Sequence, residues 1–445
     1  MHASLRSLFA AGNRRASCGP HAILVRPMRL HSRYVILSLT VVVQAAVSLV
    51  QQGIGSIVPF IAVALALDHT RVGLTVAAIS AGAFSFTAVS GVAVDYFGER
   101  AIIFWTGLAT GLALIAAALV PHVGWLIFWL FVFGIGYGAS TPAGGRAILL
   151  WFTTNRGFAM GVRQTGVPIG GLIGALLLPL IAAHAGYRWA LAAGGILCIT
   201  LSTAAALAYR SPDGVTDLAS PHFRELVRGM LRIARNPRSV SVNLTCGILV
   251  SAQYAVLSFL ALSLISRTHV GIALAATALA VAQAGAAVGR LLWGSASDHL
   301  FGGDRMTPMV LLCVISAFAL WWLADLTSGS TAVIMCVSAL LGITVAAWNG
   351  LFAAVQVEIG GADLAGSALG VGLTAIYGAG TLAQPLFGAL VDHFGFPFAW
   401  HALAIVTLLG VVPGLTARRL LRAPIATQPA GRGRCVARCG RPRRR

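Results

Sequence analysis

Long apolar runs alternate with short polar breaks along this chain, and the breaks hold nearly all of its charge. A bilayer core takes about 20 helical residues. Twelve runs come close to or exceed that length, at roughly 34–63, 72–94, 101–120, 124–148, 158–183, 189–209, 240–264, 270–294, 308–326, 331–355, 366–391 and 398–416. They are continuous rather than ten-residue alternating segments, so they predict membrane-spanning α-helices and not a barrel. The one long polar stretch, 210–239, divides them six and six. The expected organisation is a basic N-terminal tail (1–33), a six-helix bundle (34–209), a linker (210–239), a second six-helix bundle (240–416) and a basic C-terminal tail (417–445). Inside the linker, Ser220 suits an N-cap and Pro221 the first helical turn. Phe223, Leu226, Val227, Met230 and Leu231 then form an apolar stripe, with Arg224, Arg228, Arg232 and Arg235 mainly off it. That pattern predicts an amphipathic helix lying on the membrane surface, ended by Asn236-Pro237. The tail from Pro424 has no periodicity and is expected to be disordered.

Composition agrees. Of 445 residues, 58% are hydrophobic and 10% charged, against roughly a quarter charged in soluble domains. All 31 basic residues are arginine, and the net charge is +19. Such a charge would suit nucleic acid, but these arginines occupy loops and tails between spans, which excludes that partner. Their asymmetry sets orientation. With both termini in the cytoplasm, 28 arginines face inward and three, Arg71, Arg188 and Arg267, face outward. The expected location is the cell (inner) membrane, multi-pass. The seven cysteines form no disulfide framework; Cys198, Cys246, Cys313 and Cys336 lie singly in apolar runs, as small hydrophobes do. No His/Cys/Asp cluster, serine triad or phosphate loop occurs at workable spacing. The reading is therefore no enzyme, no cofactor and no metal.

The chain repeats itself. Gly91-Val92-Ala93-Val94-Asp95-Tyr96-Phe97-Gly98-Glu99-Arg100 follows the second run, and Gly294-Ser295-Ala296-Ser297-Asp298 with Gly302, Gly303 and Arg305 follows the eighth. Residues 157–189 also match 366–398 at a fixed offset of 209. Gly157, Ala159, Gly161, Val162, Thr165, Gly171, His184 and Gly186 meet Gly366, Ala368, Gly370, Val371, Thr374, Gly380, His393 and Gly395. Two halves of parallel repeat type follow. Twelve helices, the repeat, the basic central loop and Gly-x-x-x-Asp after runs two and eight resemble the major facilitator superfamily, over about 34–416. That resemblance implies an all-α membrane protein with two pseudo-symmetric six-helix bundles and secondary transport by alternating access. Trp151-Phe152, Arg156-Gly157 and Gln164 to Gly171 are similar to bacterial members. The family's loop usually reads Gly-x-x-x-Asp-Arg-x-Gly-Arg-Arg; here Tyr96 and Glu99 replace the first two arginines. Gly91, Asp95, Arg100, Arg156, Gly294, Asp298 and Arg305 are the gating residues implied. Asp95 is expected to meet the start of run eleven at Gly366-Ser367, and Asp298 the start of run five near Arg156.

No run carries a carboxylate at mid-membrane; Asp95, Asp298, Asp392 and Glu358 all sit at run ends. Arg290 is the informative cation. Eight residues before Asp298, it lies about 12 Å into its helix. Burial there requires a partner: either an ion pair with Asp298, or a substrate carboxylate held bidentately. The frame Gly289-Arg290-Leu291-Leu292-Trp293-Gly294 resembles the branch of oxalate–formate exchangers and monocarboxylate porters. Arg146 and Arg163 lie nearer their run ends and read as gating pairs. Gln51, Gln52, Gln253, Tyr254, Asn349 and Tyr377 interrupt apolar runs, and they mark either helix–helix hydrogen bonds or a cavity wall. The expected function is secondary transport of small organic solutes, foremost organic anions, by a monomer, with a proton as candidate co-substrate. The alternative is a drug or metabolite efflux pump of the same superfamily.

Overall fold

Each apolar run becomes helix because a chain in hydrocarbon satisfies its backbone only within itself. The computed structural model describes residues 30–152, 156–210, 223–327 and 330–422. Within them lie α1 (Leu30–Gly53), α2 (Val58–Leu65), α3 (His69–Leu119), α4 (Val123–Trp151), α5 (Arg156–Ala185), α6 (Tyr187–Ala208), α7 (Phe223–Ala234), α8 (Pro237–Thr268), α9 (Ile272–His299), α10 (Met306–Asp325), α11 (Thr331–Val345), α12 (Asn349–Leu409) and α13 (Val411–Arg422). Ten helices among the described residues are long and apolar enough to cross a membrane. Three expected turns are bridged by helix, those between the second and third, the tenth and eleventh, and the eleventh and twelfth runs. Gly98 breaks α3 with φ 77° and ψ 157°, between the second and third runs. Gly395, at φ 80°, separates the eleventh and twelfth runs inside α12. All twelve runs thus find a place in an all-helical fold.

The first group, α1–α6, and the second, α8–α13, share one continuous apolar cluster. Leu114, Leu126, Leu130, Phe133 and Leu178 are fully buried in the first; Phe259, Leu320, Leu341, Trp348 and Trp400 are fully buried in the second. Large apolar side chains point outward all round, among them Trp105, Leu180, Trp189, Leu291, Phe318 and Leu382, as lipid-facing helices require. α7 falls where the linker pattern predicts a helix. Asn236 then caps α8 through its side chain, with Pro237 in the first turn. The start of the linker, the N-tail to residue 29 and the C-tail from 423 lie outside the described residues.

Candidate functional site

Two helices are interrupted near mid-length, and both breaks face α9. α1 gives way to a 3-10 turn at Ile54–Ser56 before α2 restarts with Pro59 in its first turn. α11 stops at Val345 and α12 begins at Asn349. A broken helix frees carbonyls that need donors, and α9 supplies them. Gln283 Nε2 donates to Gln52 O at 3.2 Å and to Gln52 Oε1 at 3.4 Å. Arg290 Nε donates to Ala346 O at 3.4 Å. Gln283 and Arg290 are seven residues apart, two turns, and so project from one face. Arg290 also crosses to the first group, where its Nη1 donates to Gln164 O of α5 at 3.1 Å. The backbones come equally close beside the first break: a Cβ on Gly55 would sit 1.6 Å from Leu257 O of α8.

Around this cross-piece lies a layer of polar and aromatic side chains. Tyr137 of α4 faces Ser48 and Gln52, within electrostatic reach of both Arg163 and Arg290. Its ring meets Tyr377 of α12 edge-on at 6.4 Å between centroids. Tyr254 lies against Gln51, and Asn349 Nδ2 donates to Gln253 Oε1 at 3.4 Å. The candidates Gln51, Gln52, Gln253, Tyr254, Arg290, Asn349 and Tyr377 therefore share one layer where the two groups of helices meet. Arg290 is half-buried. Asp298 pairs instead with Arg305, and no carboxylate among the described residues lies within ion-pair distance of Arg290.

The sequence reading missed Tyr137, Gln283, Gln384 and the place of Arg163. Arg163 is 1% exposed and makes no ion pair among the described residues, so it is not the gating pair expected of it. The usable signal was the one that found Gln51 and Gln52: a polar side chain interrupting an apolar run.

At the face where α1 begins and α13 ends, Glu99 is buried. It accepts from Tyr209 Oη at 2.9 Å and pairs with Arg146 Nε at 3.4 Å. Arg100 Nε donates to Ala206 O at 2.8 Å. In the second group, Arg305 pairs with Asp298 and, at 3.4 Å, with Glu358. Gly294 has open space where a Cβ would stand. The surroundings of Gly91, Asp95, Arg156, Gly366 and Ser367 lie outside what the structure describes.

At the opposite face the two groups are tied together. Asp392 of α12 accepts from His69 N (2.9 Å), His69 Nδ1 (2.6 Å), Thr70 N (2.7 Å) and Thr70 Oγ1 (2.5 Å) at the start of α3. Deeper in, Ser80 Oγ donates to Gln384 Oε1 at 3.3 Å, and Gln384 Nε2 donates to Ser258 Oγ at 2.8 Å. These contacts between the groups run from Arg290 at mid-depth to Asp392.

A family model described as Major Facilitator Superfamily matches residues 40–384. An uncharacterized MFS-type transporter of Mycobacterium tuberculosis is 29% identical over 405 residues, covering 88% of this chain and 87% of that protein. A probable sulfoacetate transporter of Cupriavidus necator is 25% identical over 44% of this chain and 46% of its own length. A fujikurins efflux protein of Gibberella fujikuroi is 23% identical over 70% and 65% respectively. Among solved structures, a bacterial homologue of the human lysosomal transporter Spinster, described as inward-facing and unoccupied, has the same fold. Its TM-score is 0.67 at 18% identity, over 88% of this chain and 96% of that one.

Proposed function

The chain belongs to the major facilitator superfamily and is a multi-pass membrane transporter, and from that premise we propose that its cargo is a small organic anion, carboxylates foremost. Arg290 carries this reading. It is a cation at the meeting of the two groups, bonded only to backbone carbonyls, with no carboxylate partner among the described residues. A guanidinium held inside the membrane is costly without a counter-ion, and a cargo carboxylate supplies one through bidentate hydrogen bonds. The sulfoacetate relative supports the same class, since its named cargo is an organic anion.

In this reading, 34–209 and 240–416 are the two halves that rock about the layer formed by Gln51, Gln52, Gln253, Tyr254, Arg290, Asn349 and Tyr377. The arginine asymmetry supports cytoplasmic termini and the inner membrane. The face tied by Asp392 is then the external one, and Gly91, Asp95, Arg100, Arg156, Gly294, Asp298 and Arg305 gate the cytoplasmic one. The transporter works as a monomer, and a carboxylic acid cargo brings its own proton. In proteoliposomes, Arg290→Ala lowers carboxylate uptake about a hundredfold, from ~3 kcal/mol of lost charge-assisted hydrogen bonding. Uptake at the wild-type rate overturns the role of Arg290.

The fungal efflux relative, matched over 70% of this chain, favours a second reading, export of a metabolite or drug. Export of a neutral compound that survives Arg290→Ala distinguishes the two.

A further inference from the structure

Arg163 is the most deeply enclosed charge among the described residues. It is 1% exposed, seven residues into α5. Nη2 donates to Gln44 Oε1 at 2.7 Å and to Ser140 O at 3.3 Å. Nε and Nη1 are buried without any partner. An orphaned donor is costly in a low-dielectric interior, and an uncompensated cation more so. The phenols of Tyr137 and Tyr377 are the titratable groups that act on it, and both are neutral at physiological pH. Gly144 of α4 leaves the guanidinium its room, for a Cβ there would lie 2.3 Å from Arg163 Nε.

Arg290 is close by. It donates to the carbonyl of Gln164, the next residue along α5, and Tyr137 stands within reach of both guanidiniums. Two like charges thus flank one tyrosine, each from a different half, and neither has an acid. Neighbouring like charges repel, more strongly as water is excluded. A single carboxylate neutralises one of them.

Resting on the anion reading above, we propose that Arg163 is the second cation of that site, and that the cargo is a dianion with one oxyanion group for Arg163 and another for Arg290. Bound between them, such a cargo joins the two halves through its own charges. A merely structural Arg163, clipping α1 to α4 and α5 through Gln44 and Ser140, would affect stability and leave charge selectivity alone.

The test uses the purified full-length protein in nanodiscs. It is titrated with matched mono- and dicarboxylates of two to six carbons while its melting point is read, since ligands of the native state raise it. Wild type is expected to bind at least one dicarboxylate tenfold or more tightly than the monocarboxylate of equal length. Arg163→Gln removes that preference and keeps monocarboxylate binding, whereas Arg290→Gln loses both. A preference that survives Arg163→Gln overturns the proposal, as does a wild type that binds both kinds equally; the anion reading survives either result. Binding of no carboxylate sinks both. Should Arg163→Gln fail to fold, Gly144→Ala keeps the charge and pushes the guanidinium aside. It is expected to weaken dicarboxylate binding at least fivefold with monocarboxylate binding unchanged, and an unchanged preference there overturns the proposal equally.

Discussion

Glu99 stands where the superfamily loop usually carries arginine, and its surroundings explain how an acid is tolerated. Its carboxylate takes the Tyr209 hydroxyl at 2.9 Å and faces Arg146 at 3.4 Å. The second half uses the opposite polarity, with Arg305 on the loop and Glu358 on the helix. Breaking a buried ion pair by removing one partner costs about 3–5 kcal/mol. With Arg146 19% exposed, Glu99→Gln is expected to cost about 2 kcal/mol, read as a lower melting point. The double variant with Arg146→Gln should recover part of that loss; strictly additive losses would sink the pairing. At this scale the depth of Arg290 was legible, because an arginine inside an apolar run needs a partner. Arg163 was misread for a physical reason. Distance from the run's end measures depth only, whereas rotation about the helix axis decides whether a side chain faces a neighbour, lipid or the central layer.

Elements were legible where hydrophobicity alone dictates them and illegible where tertiary contact decides. The twelve runs and the linker helix come straight from pattern. The break after Gly53 has partial cues in Gly55 and Pro59, but the one at Ala346–Trp348 has neither glycine nor proline inside it and is held by Arg290 and Asn349 on Ala346 O. Asp304, in the second repeat loop, joins α10 to α13. Its carboxylate accepts from the N–H groups of Met306 and Thr307 at the start of α10, and from Arg418 Nε (3.1 Å) and Arg422 Nη2 (2.6 Å) of α13. Partial burial pushes this carboxyl up, but the Thr307 bonds and the two arginines outweigh it and hold it at about 2, below the ordinary 3.8. A depressed carboxylate contributes stability that is present above the unfolded value and lost as pH falls through the folded one. Wild type should therefore lose melting temperature between about pH 4 and pH 2 through this group. Asp304→Ala should lose about 1–3 kcal/mol at neutral pH, from the cap and two partly exposed ion pairs, and show a shallower acid limb. An identical acid limb would remove Asp304 from that role.

For the molecule as a whole, the tie at Asp392 is the counterweight to the central site. Four donors from the first half converge on one carboxylate of the second, two of them N–H groups at the start of α3, where the helix dipole adds positive potential. Under the proposed alternating access, every one of these bonds must break for the two groups to part at that face, and their strength then sets how often the site opens there. Asp392→Asn keeps one acceptor oxygen and puts an NH₂ where the other stood, so one of the two donor sets, His69 or Thr70, is left facing a donor. Each ~1.4 kcal/mol removed from the closed state multiplies the open population tenfold. The buried Ser80 hydroxyl, bonded to Gln384 between the halves, reports that population. Replaced by cysteine in a background whose native cysteines are serine, position 80 should react with a membrane-impermeant thiol reagent at least ten times faster when Asp392→Asn is added. Addition of the cargo should change that rate, because an anion bound at Arg290 biases the same equilibrium. Equal labelling with and without the Asp392 carboxylate would mean that the halves are held closed by the packing of Gly55 on Leu257 and of Gln283 on Gln52, and that Asp392 only caps a helix.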